Sequence, residues 1–370
     1  MITFTKIFPS LLFETFVIQL RKLQKRKKMA SDSNSSKKVQ LADIAKKAGV
    51  SLSTVSKVLN GRPDVSDATR SKVQKLLSKN DYQRRGSSVT NSDLIEIVFE
   101  RFDNLWGLQL LNGAVKEGHK HGLNVVISEN GSRTHPDPEW IEGVLHRQPY
   151  GIILVFSDLT PPEKRKLARC GIPFATVDPS GDPAPDNMSV LSDNWTGGLI
   201  ATRHLLSLGH TRIGIITGPQ EMMCSKARLD GYSAAIEERG LTVEPSLIKI
   251  GNFTTEGGFR KGIELLKDSE NRPTAIFAGS DLQAMGVYEA ARRLNIRIPQ
   301  DLSVIGFDDL QLSEFMGPAL TTIRQPLHDM AASAVRMLID ARTGGDGPKR
   351  VILPTTLIQR DSARKLTDTE

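Results

Sequence analysis

Residues 41–60, LADIAKKAGVSLSTVSKVLN, restrict the fold more than any other stretch of the chain. Leu41, Ile44, Ala45 and Ala48 recur at i, i+3, i+4 and i+7, which is one apolar stripe on a short helix. Gly49 follows where a helix ends in a left-handed residue, a conformation glycine adopts without a Cβ penalty. Val50 plugs the corner, and Ser51 stands where a second helix needs its N-cap. In that helix Val55, Val58 and Leu59 face inward, while Ser53, Lys57 and Asn60 share an outer face with Ser56 beside it. Two short helices around a glycine corner, the second polar outside, predict a helix-turn-helix. A third helix closes its core, with Val65 and Ser66 as staple and cap and Val73, Leu76 and Leu77 as the buried stripe. Arg70, Lys72, Lys75 and Lys79 are expected on its wet side, and the unit is complete near Tyr82.

The run from Val39 to Tyr82 resembles the DNA-binding head of the LacI/GalR family. The matching residues are Leu41-Ala-Asp-Ile-Ala, Ala48-Gly-Val-Ser-x-x-Thr-Val-Ser-x-Val-Leu-Asn60, Val65-Ser66, Thr69-Arg70 and Tyr82. The resemblance implies that the second helix enters the major groove by its N-terminus. By position, Leu52, Ser53 and Lys57 face the bases, Leu52 against a thymine methyl and the other two by hydrogen bonding. Ser51, Thr54, Ser56 and Asn60 suit phosphates, which set register rather than sequence. Bland readings compete: Ser51 only caps, Thr54 only packs, and the whole unit is an interaction module without DNA.

Charge separates the ends of the chain. Residues 1–28 carry +6, residues 29–86 carry +7, and residues 87–370 carry −6. A basic front on an acidic body assigns contact with a polyanion to the front, although lysine-rich helix faces are often only solvated. Residues 1–36 read as a disordered extension, with Met29 the expected start of translation. The apolar stretch 7–20 is interrupted by Pro9, Glu14 and Gln19, and its positive cluster follows it, the reverse of a secretory signal. No run of 18 apolar residues predicts a membrane span. Cys170 and Cys224 match no metal or redox spacing and read as ordinary buried thiols.

The linker, residues 84–93, departs from the family pattern. Relatives follow the head with a hinge helix containing Pro-Asn and Ala-Arg-x-Leu, whose Leu wedges into the minor groove. Here the segment is shorter and lacks both that Pro and that Leu. Val89 is the one apolar candidate for a wedge, and Gly86-Ser87-Ser88 is a flexible composition. Arg84 and Arg85 suit phosphates or a narrow minor groove. The expectation is a switch that works through head spacing rather than strong kinking of DNA.

From residue 94 to 363, strands at 94–99, 124–128, 151–156, 173–177, 212–217, 247–250, 275–279, 302–307 and 321–324 alternate with amphipathic helical stretches. That alternation predicts an α/β body with parallel sheets, and its size predicts two lobes with a cleft. The fold class is therefore multidomain: a small all-α head at 37–83 on a two-lobed α/β sensor, ending in a tail at 364–370. No phosphate loop, dinucleotide fingerprint, nucleophile elbow or zinc-protease pair occurs, so no enzyme, cofactor or metal is expected. His119 and His121 point to different helix faces, and His204 and His210 flank a helix end as capping or packing residues.

Residues 95–361 resemble the sensor of the same family, a fold shared with periplasmic sugar-binding proteins. The resemblance rests on Asp193-Asn194-x-x-Gly-Gly, His204-Leu-Leu-x-Leu-Gly-His210-x-x-Ile-Gly, Arg228-x-x-Gly-Tyr232, Val304-Ile-Gly-Phe-Asp308-Asp309 and Leu320-Thr-Thr-Ile-Arg-Gln-Pro326. It implies that Arg228 holds the effector, Asp308 accepts from sugar hydroxyls, and Ser280 and Phe253 line the cleft. Asp103 and Trp106, in the loop after the first strand, and Asp178, closing another strand, join them. Core packing competes for Phe253 and Phe307, and helix capping for Asp281 and Asp309.

The expected protein is a cytoplasmic, nucleoid-associated homodimeric repressor. It binds a pseudo-palindromic duplex operator, takes a sugar effector and has no membrane partner. A nucleobase or nucleoside effector is the alternative within this class. An exported sugar-binding protein is the rival outside it.

Overall fold

The computed structural model describes residues 41–59, 65–79, 92–132 and 135–366. The chain divides into two compact units, Met1–Val89 and Thr90–Glu370.

In the first unit, α1 (Leu41–Ala48), α2 (Leu52–Leu59) and α3 (Asp67–Lys79) enclose a small core of Ile44, Ala45, Ala48, Val55, Val58, Val65 and Val73. Gly49 takes φ +71° at the corner. Thr54 N donates to Ser51 Oγ at 3.1 Å, the expected cap. Thr69 N donates to Ser66 Oγ at 3.4 Å at the head of α3. Arg70 departs from the sequence reading. It is 7% exposed rather than wet, because it shares the i, i+3, i+7 stripe of Val73 and Leu77 and buries its stem along that face.

The second unit holds two six-stranded sheets. The first runs β11-β5-β4-β3-β1-β2 and is parallel throughout, from β1 (Leu94–Phe99), β2 (Asn124–Glu129), β3 (Gly151–Val155), β4 (Phe174–Val177), β5 (Met188–Ser192) and β11 (Arg350–Leu353). The second runs β12-β10-β9-β8-β6-β7, from β6 (Ile213–Thr217), β7 (Ile248–Ile250), β8 (Ala275–Ala278), β9 (Ser303–Asp308), β10 (Thr321–Arg324) and β12 (Thr356–Ile358). Only its β10–β12 pair is antiparallel. Strands β3, β6, β8 and β9 are buried along their whole length, as central strands covered by helices on both faces must be.

Helices α4 (Leu105–Lys120), α5 (Pro138–Arg147), α6 (Pro161–Arg169) and α11 (Leu327–Thr343) cover the first sheet. Helices α7 (Asn194–Ser207), α8 (Met223–Glu238), α9 (Thr255–Leu266) and α10 (Asp281–Arg293) cover the second. Three helix pairs pack backbone to backbone through glycine. An added Cβ would sit 2.4 Å from His328 O at Gly113, 2.3 Å from Arg228 O at Gly198 and 2.2 Å from Gln283 O at Gly258. The chain passes between lobes after β5, after β10 and between β11 and β12.

All nine expected strands are present, with ends moved by a residue where they moved at all. Three others were not foreseen. Strand β5 follows β4 without an intervening helix, and β11 and β12 are short, partly exposed edges that carry no clear run. Cys170 is half-buried, not buried as expected. Among the described residues no helix is long and apolar enough to cross a membrane, and no His, Cys, Asp and Glu group could hold a metal.

Candidate functional site

The carboxyl ends of the parallel strands from both lobes open onto one cleft of about 400 Å³. Open α/β sheets bind ligands at this place. All seven residues singled out in the sequence line it: Asp103, Trp106, Asp178, Arg228, Phe253, Ser280 and Asp308. Sequence reasoning did not single out Phe156, Asn252, Met222 and Cys224 as cleft residues, although they are among the others that form its walls.

The backbone aims several of these side chains. Among the described residues seven non-glycines have positive φ, and four of them line the cleft: Phe156 (66°), Asp178 (50°), Phe253 (62°) and Asp308 (119°). Phe156 and Asp178 directly follow β3 and β4, and Asp308 ends β9. A left-handed residue costs of order 1–3 kcal/mol and persists where its surroundings enforce it, commonly at binding sites. Phe253 also needs Gly218, where an added Cβ would fall 2.0 Å from its ring.

Arg228, on α8, is 4% exposed. Its Nε donates to Asn194 Oδ1 at 2.9 Å and its Nη1 to Gly279 O. Its Cζ lies 3.7 Å from the Phe307 ring centroid and 5.4 Å from that of Phe253. Phe307 is thus a core residue that backs Arg228, whereas Phe253 is a wall of the cleft. Burial pushes the carboxyl of Asp178 above its usual range, against the pull of Arg228 and Asn194. Burial raises Asp308 well above that range too, Arg228 again opposing. The Cys224 thiol is pushed up to about 12, by burial first and then by Asp178, so it is a neutral wall.

Across from Arg228, Trp106 stacks on Phe156 with centroids 4.8 Å apart and planes 17° from parallel. Asp103 pairs with Arg101, which holds its carboxyl below the usual range. Ser280 caps α10, its Oγ accepting from Gln283 N at 3.2 Å, while also lining the cleft. Asp281 does neither: its carboxylate accepts from Leu310 N at 2.8 Å, Ser313 Oγ at 2.6 Å and Thr322 Oγ1 at 2.5 Å. Asp309 pairs with Arg324 and Arg360. The cleft therefore offers acceptors, one pre-positioned guanidinium and flat aromatic faces from both lobes, a set suited to a ring bearing hydroxyl groups.

On α2, Ser51, Leu52, Ser53, Ser56 and Lys57 are exposed and Thr54 is half-buried. Leu52 is 53% exposed, so its side chain is open to a partner. Ser51 Oγ lies 2.8 Å from both Ser53 Oγ and Thr54 Oγ1 while it caps α2, so the capping role expected as an alternative is present. Asn60, Arg84, Arg85 and Val89 fall outside the described residues.

A helix-turn-helix unit with a polar recognition face, followed by a two-lobed α/β body whose cleft lies between parallel sheets, defines a ligand-responsive DNA-binding regulator by architecture. Residues 40–85 match the model of bacterial regulatory proteins of the lacI family, and residues 202–363 match the periplasmic binding protein-like domain. The HTH-type transcriptional repressor CytR of Escherichia coli (strain K12) is 33% identical over 338 residues, 88% of this chain and 96% of that protein. The transcriptional regulator CelR in complex with cellobiose has TM-score 0.67 and 29% identity, covering 88% of this chain and all of that one. The lac repressor dimer bound to operator and the anti-inducer ONPF has TM-score 0.64 and 25% identity over 89% of this chain and all of that one. The chain belongs to the lacI family of bacterial regulatory proteins.

Proposed function

We propose that the chain is a transcriptional repressor whose operator affinity is set by a small carbohydrate bound between the lobes. The observation that carries this reading is the pairing of a complete helix-turn-helix with a cleft in which Arg228, Asp178 and Asp308 converge under aromatic walls. Residues 37–83 form the head, 84–93 the linker and 94–363 the sensor, and Ser51, Leu52, Ser53, Thr54, Ser56, Lys57, Asn60, Arg84 and Arg85 meet DNA. The reading includes no catalytic turnover. A regulator that acts on chromosomal DNA works in the cytoplasm, associated with the nucleoid. The protein acts as a homodimer on a pseudo-palindromic site, an arrangement supported by the similarity to a repressor solved as a dimer on its operator.

The effector acts through its different affinity for two lobe arrangements, a coupling of about 1–3 kcal/mol in typical regulators. A nucleoside is the second reading, favoured by the stacked Trp106–Phe156 pair, which presents a flat face to a base. Fluorescence anisotropy on the DNA upstream of its own gene, with competitor DNA and a panel of sugars and nucleosides, tests both. Specific binding released by one compound supports the reading and names the effector; absence of specific binding refutes it.

A further inference from the structure

Two buried cleft carboxyls, Asp178 and Asp308, stand on different lobes, yet they are linked through the lobe crossings by hydrogen bonds that meet at Ser192, one at its backbone carbonyl and one at its hydroxyl. Asp178 Oδ1 accepts from Asn194 Nδ2 at 3.3 Å, and the same nitrogen donates to Ser192 O at 3.1 Å. Ser192 Oγ donates to Gln325 Oε1 at 2.7 Å, and Gln325 Nε2 donates to Asp308 Oδ1 at 2.6 Å. Gln325 N also donates to Asp308 O at 3.3 Å. Ser192 closes β5 and Asn194 opens α7, which is the first crossing; Gln325 lies between β10 and α11, which is the second. The third crossing touches the same place, since Thr355 Oγ1 donates to Asp193 O at 3.2 Å. Ser192, Asn194 and Gln325 are all buried.

We propose that Asn194, Ser192 and Gln325 form a positioning relay that fixes the angle between the lobes according to the state of Asp178 and Asp308. The polar pattern fits no simpler role. Gln325 must donate to a carboxylate at one end of its amide and accept a hydroxyl at the other, which neither Glu nor Leu does. Ser192, Asn194 and Gln325 are buried, so a rearrangement of either carboxyl that breaks these bonds leaves a buried polar group to find a new partner unless the crossings move with it. A compound that contacts Asp178 or Asp308 thereby acts on the crossings without touching them. The relay rests on the reading of the cleft as an effector site only for its use; its existence is a property of the protein alone.

The test therefore uses neither effector nor DNA. Single-molecule energy transfer is measured on the full chain between dyes at Arg165→Cys and Lys267→Cys, exposed positions on opposite lobes. The background is Cys170→Ser, with labelled chains diluted in unlabelled protein. The expected result is a single narrow inter-lobe distribution that shifts and broadens in Gln325→Leu and in Ser192→Ala, with the double variant no different from either alone. Cooperative urea unfolding confirms that each variant folds; if Gln325→Leu does not fold, the milder Ser192→Ala decides. An unchanged distribution in a folded variant, or shifts that simply add, overturns the relay. Such a failure leaves the effector reading standing, because that reading is tested separately by DNA release.

Discussion

The guanidinium of Arg228 lies over the ring of Phe307 at 3.7 Å, held from one side by Asn194 and from the other by Gly279 O. Stacking and two directed bonds leave its orientation fixed before any ligand arrives, and the buried carboxyls of Asp178 and Asp308 depend on its charge. Arg228→Lys keeps the charge but loses the plane and the fork. The expected result is effector affinity weakened by about 1.5–3 kcal/mol, roughly ten- to hundredfold in Kd, with operator affinity in the absence of effector kept. Calorimetric titration and anisotropy on the same preparation check the two halves.

On α2, Leu52 and Lys57 are expected to fail differently. Leu52→Ala removes an exposed side chain, so stability should change by no more than about 0.5 kcal/mol. Specific binding should weaken by about 1–3 kcal/mol if the leucine reads a thymine methyl. Lys57→Ala should relax discrimination at one base step if it reads a base edge. If it meets phosphate instead, it should lower the salt slope by about 1 and weaken all sequences alike. Operator titrations at three salt concentrations, with matched non-specific duplexes, separate these outcomes.

The head was legible because its signals are local. The Leu41–Ala48 stripe, the Gly49 corner and the Ser51 cap all lie within a dozen residues, and each specifies its own geometry. The strands were legible for a similar reason, since parallel buried strands are continuous apolar runs. Seven of the cleft residues were named too: Arg228, Asp308, Ser280 and Phe253 through the family resemblance, and Asp103, Trp106 and Asp178 from their places at strand ends. What stayed hidden depends on contacts made far apart in sequence. Nothing around Phe156 announces a left-handed backbone or a stack on Trp106 fifty residues earlier. Gln325 and Ser192 meet across 133 residues, and each looks like an ordinary polar residue at a strand end. Arg70 was misplaced because its charge was read before its position on the stripe.

Acid should act on the sensor through His210. Its Nδ1 lies 2.9 Å from Thr274 Oγ1 and its Nε2 3.1 Å from Arg364 O, so the ring ties the C-terminal segment to the sheet. Burial lowers its pKa from 6.5, and that of the neighbouring His204 likewise. A depressed histidine pKa means the unfolded chain binds the proton first, so this contribution is present above 6.5 and lost as pH falls through the folded value. Asp281 has the opposite sign: burial raises it from 3.8 to about 6, so its contribution grows as pH falls through that window. The difference in urea midpoint between wild type and His210→Gln isolates the histidine. That difference should shrink steadily below pH 6.5. A difference that stays constant with pH would falsify the assignment.

Glycine, finally, sets how closely the second lobe's helices meet, and through that where Arg228 stands. A Cβ at Gly198 of α7 would lie 2.3 Å from Arg228 O, and one at Gly231 of α8 would lie 2.2 Å from Trp195 O. Both obstacles are backbone, so no side chain can rotate away and the helices must separate. Gly198→Ala should cost about 1–3 kcal/mol despite alanine's better helix propensity, because overpacking outweighs the ~1 kcal/mol propensity gain. Separation also carries Arg228 away from Asn194, so effector affinity should fall together with stability. Gly181→Ala is the control, since nothing lies within 4 Å of its added Cβ. It should change stability by less than about 0.5 kcal/mol and leave effector affinity unaltered. Thermal unfolding with and without effector reads both quantities. A Gly198→Ala protein that loses stability but binds effector normally would show that α8 holds Arg228 in place independently of α7.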